Sequence, residues 1–222
     1  MPDYPISLQL RNCLCVVVGG GAVGMRKVGG LVAAGARVRL IAPRDPGLPE
    51  GLEGVELIPR PYRRGDLRDA FLAFAATDDR QTNAAIAAEA RDRGIPINVG
   101  DDPRSGDFHL PAVLRRGPLT VAVSTSGRSP ALAAVLRQRL AGELGPEWQT
   151  VVEIAAALRR NRLTAKRKTE YNQAILRRLL EGDLPTLIAG GKSKEIDRLL
   201  ETLFGEGFSL AALGIDLPKG MK

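Results

Sequence analysis

The sequence predicts an α/β protein, a parallel sheet covered by helices on both faces, followed by a helical C-terminal part. Three observations carry this. Short, continuously apolar runs alternate with segments of helical period through residues 13–99, the pattern of strands buried on both faces and joined by crossovers. The glycine cluster Gly19-Gly20-Gly21-Ala22-Val23-Gly24 sits between the first apolar run and the first helical segment. From about residue 130 onward the period is helical to the end of the chain.

Residues 5–10 alternate in polarity and read as a short strand or an extended arm, and 13–18 as a buried parallel strand. A helix is expected over 23–34 from Val23, Val28, Leu31 and Val32, although Gly29 and Gly30 inside it each cost about 1 kcal/mol relative to alanine. Close packing against the sheet is the expected compensation. Gly35 ends that helix, and 36–42 is a second strand stopped by Pro43. A Pro- and Gly-rich loop over 43–54 leads to a short strand at 55–58, a connection at 60–65 and one helical turn at 67–70. Residues 71–76 form a fourth strand. Thr77-Asp78-Asp79 then supplies a cap for a helix over 81–93, closed by Gly94, and 95–99 is a fifth strand. Residues 108–114 and 119–124 read as strands joined by a turn at Arg115-Arg116-Gly117-Pro118, an antiparallel pair expected at the sheet edge. Ser129-Pro130 opens the helical part as N-cap and first-turn proline.

With 222 residues and 44% hydrophobic content, the chain can bury a substantial core. The expected organisation is a nucleotide-binding domain over 1–112, a short middle segment over 113–145 and a helical domain over 146–222. No apolar run reaches the roughly 18 to 20 residues of a membrane span, and Met1-Pro2-Asp3-Tyr4 lacks the order of a signal peptide, so a cytoplasmic protein is expected. Cys13 and Cys15 point to one face of a strand and read as free thiols, and no cluster of ligand-type residues suggests a metal site. The formal net charge of +7 suits an anionic partner, but an aromatic content of 4% argues against a base-stacking surface. The densest basic stretch, residues 159–168, reads as a solvated helical face. No nucleic-acid or membrane partner is expected.

The glycine cluster matches G-x-G-x-x-G in the context that gives the motif meaning, after an apolar strand and before a helix. Gly19 would allow the tight turn, Gly21 the close approach of a diphosphate and Gly24 the close packing of helix on strand, while the helix N-terminus attracts the phosphate charge. This is the fingerprint of a Rossmann-like domain. The acidic residue usual at the end of the second strand is absent from its place. Arg44 there would meet a 2′-phosphate and favour NADP, whereas Asp45 or backbone groups would hold a free ribose hydroxyl and favour NAD, the cofactor expected here.

The order of motifs carries a resemblance. Tyr4-Pro5-Ile6-Ser7-Leu8-Gln9-Leu10, the glycine cluster with Arg26-Lys27, Ala75-Ala76-Thr77-Asp78-Asp79 with Asn83, Asn98-Val99-Gly100-Asp101, Phe108-His109-Leu110-Pro111-Ala112 and the run Val121-Ala122-Val123-Ser124-Thr125-Ser126-Gly127-Arg128-Ser129-Pro130 follow one succession. Over about residues 1–145 the chain resembles the sirohaem synthase N-terminal family, precorrin-2 dehydrogenases of which some are also sirohydrochlorin ferrochelatases. The resemblance implies NAD-dependent oxidation of precorrin-2 to sirohydrochlorin, and in some members insertion of ferrous iron. It also implies a homodimer built on the middle segment.

On that resemblance Asp101, just past the fifth strand, is the expected catalytic proton acceptor, with capping of the turn before Pro103 by Asp101 or Asp102 as the bland alternative. Gly19, Gly21, Ala22, Val23, Gly24, Pro43, Arg44, Thr77 and Asp78 are the expected cofactor contacts. Ser124, Thr125, Gly127 and Ser129 are expected at the carboxylates of the substrate, although Ser129 serves equally as an N-cap. His109, the single histidine, is expected to be packed or hydrogen-bonded rather than catalytic. A short-chain dehydrogenase is disfavoured, since Tyr171 is followed four residues later by Ile175 rather than lysine. A non-catalytic NAD-sensing module is the alternative from a different class, and it would need no chemistry at Asp101.

Overall fold

The computed structural model describes residues 3–48, 53–164 and 173–217. Residues 165–168 of the stretch expected to carry the basic helical face, and Tyr171, lie outside them. Two compact units divide the chain, one running up to Leu110 and including Ser126–Arg128, the other formed by Pro111–Thr125 and the chain from Ser129 onward.

The first unit is built on β1 (Leu14–Val18), α1 (Ala22–Ala33), β2 (Arg37–Ile41), β3 (Val55–Ile58), β4 (Leu72–Ala75), α2 (Arg80–Arg93) and β5 (Ile97–Val99). All neighbouring strands are parallel, in the order β3-β2-β1-β4-β5. Period-two alternation divides β1 between two cores. Val16 and Val18 join Ala73, Ala75, Ile86 and Ala90 on the α2 side, and Cys15 and Val17 join Val28, Leu31, Leu40 and Phe74 on the α1 side. Strand order reverses at β1, with β2 on one side and β4 on the other, which opens a crevice at the carboxyl ends of β1 and β4.

Several expectations are corrected. Of the two readings of residues 5–10, a strand or an extended arm, the strand does not form, and Tyr4 and Ile6 are exposed. Residues 67–70 form hydrogen-bonded turns with Asp69 at positive φ, anchored by the buried Leu67. Gly29 and Gly30 do not pack on the sheet: both are exposed, and a Cβ on either would meet nothing within 4 Å. The strand expected over 108–114 begins at Ala112, because Pro111 has no N–H to give a ladder.

The second unit contains β6 (Ala112–Arg116) and β7 (Leu119–Val123), then α3 (Pro130–Glu143), α4 (Trp148–Thr164), α5 (Gln173–Glu181), α6 (Leu184–Ala189), α7 (Ser193–Phe204) and α8 (Leu210–Leu213). β6 and β7 pair antiparallel as expected but form a separate two-stranded sheet. Ile154, Leu158, Leu179, Leu184, Ile196 and Leu200 are at the heart of the helical core. α3 is different: only Ala133 is buried along it, and Leu132, Val135 and Leu136 are 50%, 62% and 39% exposed. No helix among the described residues is long and apolar enough to cross a membrane.

Candidate active site

The site grows from the glycine turn. Gly19 N–H donates to the Ile41 carbonyl at 2.9 Å, and Gly19 itself has φ +113°, a conformation costly for any residue with a Cβ. A Cβ there would also overlap the Ala76 carbonyl and come within 2.9 Å of Thr77 N, so the turn after β1 lies directly on the end of β4. Gly24 faces back onto the turn, where a Cβ would overlap the Gly19 carbonyl oxygen. Gly21 is the exception. It is the N-cap of α1 in an extended conformation, no side chain caps the helix, and a Cβ built on it meets nothing within 4 Å. Exposed Ala22 and Val23 follow it in the first turn. No side chain thus takes the first-turn N–H groups, and the space beside Gly21 is open at the positive end of a twelve-residue helix, the setting in which a diphosphate is held. The chain fits a dinucleotide on this ground.

The neighbouring loops follow from the strand order. Gly20 lies against Ala42 and Pro46, which brings the end of β2 to the turn. Pro43 and Arg44 are exposed just beyond it, and Asp45 is committed to its own loop, its Oδ1 accepting from Gly47 N–H at 2.9 Å. On the other side, a Cβ on Gly100 would stand 3.3 Å from the Ala75 carbonyl oxygen and 3.9 Å from Val23, so the loop after β5 touches both β4 and the start of α1. The structure thus gathers the glycine cluster, Thr77 and Asp101 along the carboxyl ends of three adjacent strands.

At that edge four groups interlock. Asn83, 2% exposed on α2, donates from Nδ2 to Asp101 Oδ1 at 2.7 Å and to the Thr77 carbonyl at 3.1 Å. Its Oδ1 accepts from Thr77 Oγ1 at 2.7 Å and from Thr77 N–H at 3.2 Å. The Thr77 hydroxyl is therefore engaged within the protein, and it also lies 3.0 Å from the Asp79 carbonyl. Asp78 is exposed at the tip of the loop. Asp79 caps α2 by accepting from the N–H groups of Gln81 and Thr82, and with the Thr82 hydroxyl these bonds hold its carboxyl below the usual range. The side chain of Asp101 is 30% exposed, with Arg80 Nε at 3.7 Å from Oδ2. Of the two aspartates, Asp102 caps the turn, accepting from Ser105 Oγ at 2.7 Å and Arg104 N–H at 3.2 Å. Sequence reasoning gave Asn83 no role. The available signal was a polar residue in phase with Ile86, Ala87 and Ala90 on the buried face of α2.

A second unforeseen group stands under the site. Lys27 of α1 donates to Asn98 Oδ1 at 2.5 Å and lies 5.4 Å from the centre of the Phe74 ring, and Asn98 Nδ2 donates to the Phe108 carbonyl. Burial, with Arg26 beside it, holds the Lys27 ammonium below its ordinary value. His109 packs on the turn at Gly127, whose φ is +73°, so a Cβ there would sit 3.6 Å from the imidazole. At the start of α3, Ser129 Oγ accepts from Leu132 N–H at 3.3 Å and Thr125 Oγ1 from Ser129 N–H at 3.0 Å. The Ser129 hydroxyl thus caps the helix and that of Thr125 holds the turn before it, while Ser124 precedes that turn just past β7. Cys13 and Cys15 are free thiols, and burial, with Cys13 nearby, pushes that of Cys15 up to about 11. Among the described residues no group of three or more His, Cys, Asp or Glu side chains gathers as a metal site.

A doubly covered parallel sheet with an uncapped, open glycine turn at its switch point defines a Rossmann-type dinucleotide-binding domain. Comparison narrows it further. Residues 6–112 match the family described as "Putative NAD(P)-binding", and residues 116–143 match "Sirohaem biosynthesis protein central". A siroheme synthase of Methylococcus capsulatus is 39% identical over 202 residues, covering 89% of this chain and 43% of that protein. One of Pseudomonas aeruginosa (strain LESB58) is 34% identical over 217 residues, covering 96% and 47%. The chain belongs to the sirohaem synthase N-terminal family, and it spans about half the length of the curated relatives it matches. Among solved structures, the precorrin-2 dehydrogenase SirC has the same fold, with a TM-score of 0.72 at 19% identity over 90% of this chain and 98% of that one.

Proposed function

We propose that this chain oxidises precorrin-2 to sirohydrochlorin with NAD. The observation that carries the reading is a carboxylate, Asp101, on the loop that touches the open glycine turn at the switch point of the sheet. NAD, when bound, supplies the hydride acceptor. Gly21, Ala22, Val23 and Gly24 would hold its diphosphate through backbone N–H groups, with Gly19, its own N–H given to Ile41, making the tight turn, and with Pro43 and Arg44 beyond β2 and the Thr77-Asp78 loop beyond β4 flanking it. Loss of hydride from a macrocycle carbon leaves one proton to be removed, and Asp101 is the base that takes it. Ser124, Thr125, Gly127 and Ser129, at the turn before α3, are assigned to the acetate and propionate groups of the substrate, a polycarboxylate that accounts for the positive net charge.

The chain acts as a homodimer in this reading, in the cytoplasm, and its middle segment is the dimerisation element: α3 packs on β6 and β7 yet exposes Leu132, Val135 and Leu136, which calls for a covering surface. Ferrous iron, if inserted, is a substrate, and the pyrrole nitrogens of sirohydrochlorin are its ligands. Anaerobic incubation of the full chain with precorrin-2 and NAD, with and without ferrous iron, is the test. NADH is expected to appear, and Asp101→Ala to lose turnover while retaining NAD binding. No NADH would favour the alternative, an NAD-sensing module without catalysis.

A further inference from the structure

We propose that Asn83 is the positioning residue of this site, fixing Oδ1 of Asp101 to the β4–α2 loop so that Oδ2 is the oxygen left to exchange the proton. The proposal rests on the reading of Asp101 given above. An amide side chain has two N–H donors and two acceptor lone pairs, and Asn83 uses all four, on Asp101 Oδ1, the Thr77 carbonyl, the Thr77 N–H and the Thr77 hydroxyl. A buried amide so fully engaged cannot turn over without breaking every bond at once, which fixes which end faces Asp101. It thereby ties the loop that ends β4 to the loop that ends β5, the two that flank the crevice beside the glycine turn. The 2.7 Å bond to Oδ1 contrasts with the other oxygen, which has an 89% exposed arginine, Arg80, at 3.7 Å. The remaining charges near Asp101 are turned elsewhere: Asp102 to Ser105 and Arg104, and Asp79 to the N-terminus of α2.

Asn83→Asp tests this on the full-length chain. The substitution keeps the shape and the acceptor toward Thr77 but replaces the donor on Asp101 with a second carboxylate oxygen. Like charges at that separation disfavour double ionisation, so the titration midpoint of the carboxyl pair, read by side-chain carboxyl 13C NMR, is expected to rise by about 1 pH unit or more. The acid limb of the kcat profile moves with it, and NAD affinity, measured by calorimetry, stays within about threefold because the glycine turn is untouched. In Asn83→Ala, kcat falls by about tenfold or more with little change in KM for NAD. An unshifted midpoint in a folded Asn83→Asp protein overturns the proposal, as does loss of fold in both variants, which makes Asn83 a purely structural residue. Full turnover by Asp101→Ala would bring down the reading of Asp101 and the proposal with it, yet leave the NMR shift in place, so the two failures are distinguishable.

Discussion

Two glycines in one motif should respond oppositely to the same added methyl. At Gly24 a Cβ overlaps the Gly19 carbonyl oxygen and stands 2.9 Å from its carbon and 3.7 Å from Val17 Cγ1, so the turn must shift by more than an ångström or the helix must lift off the sheet. Overpacking of this kind, against backbone with no freedom to yield, costs about 3 kcal/mol or more. At Gly21 the backbone is φ −72°, ψ 176°, which alanine adopts without strain, and nothing stands within 4 Å. Gly21→Ala should therefore change stability by less than about 1 kcal/mol. The methyl enters the space into which a diphosphate must come, and NAD affinity should fall by about 30-fold or more, roughly 2 kcal/mol. Thermal melts give the first quantity and calorimetric titration the second. Gly24→Ala is expected to melt at least several degrees lower, Gly21→Ala to melt like the parent and bind NAD weakly. A Gly21→Ala protein with parental affinity would refute the assignment of this turn to a dinucleotide.

Further expectations follow from other parts of the fold. Glu89, 1% exposed, accepts from Tyr62 Oη, Gly65 N–H and Arg93 Nε; burial works to raise its carboxyl, but these bonds outweigh it and hold it below its ordinary 4.5. A depressed folded value stabilises above the unfolded one, so the contribution is full above about pH 4.5 and lost as pH falls through the folded value; Glu89→Gln should cost about 1 to 3 kcal/mol at pH 7 and much less in acid, by urea titration at both pH values. Gly29→Ala and Gly30→Ala, exposed in a helix interior, should each add about 0.5 to 1 kcal/mol, and a loss in either melt would mean that this face of α1 is covered. Ser129→Ala should cost about 1 kcal/mol through the lost cap. Ser129→Asp, which keeps the cap, should restore the melt yet raise KM for a polycarboxylate substrate, and an unchanged KM would leave Ser129 as a cap alone.

The elements of the first unit were legible because each boundary carries a local physical cause. Gly94 ends α2 at φ +65°, Asp79 begins it with two backbone bonds, and the doubly buried strands read as unbroken apolar runs. The antiparallel pair was legible too, through the turn at Gly117, but its place was not. Joining it to β5 would need the outer edge of that strand, and this edge is already taken: Asp107 N–H donates to the Ile97 carbonyl, and Asp107 Oδ2 accepts from Ile97 N–H at 3.0 Å. Nothing in residue type or period announces that a loop aspartate will close a sheet edge. The glycines of α1 misled for a related reason, since a sequence records the absence of a side chain but not which side of the helix it falls on.

The candidate site divides along the same line. Backbone requirements wrote the glycine turn into the sequence, and strand topology then placed Asp101 beside it; both could be inferred from one chain. The orientation of the carboxylate could not, because it depends on a side chain, Asn83, that meets Asp101 across 18 residues through a bond geometry no spacing rule encodes. That dependence has a consequence for Thr77. Its hydroxyl and N–H face Asn83 rather than the crevice, so Thr77→Val should disturb Asp101 through the amide instead of weakening NAD directly. The expected result is a kcat loss of about tenfold with NAD affinity nearly unchanged, and the opposite pattern, an affinity loss at constant kcat, would return Thr77 to the cofactor.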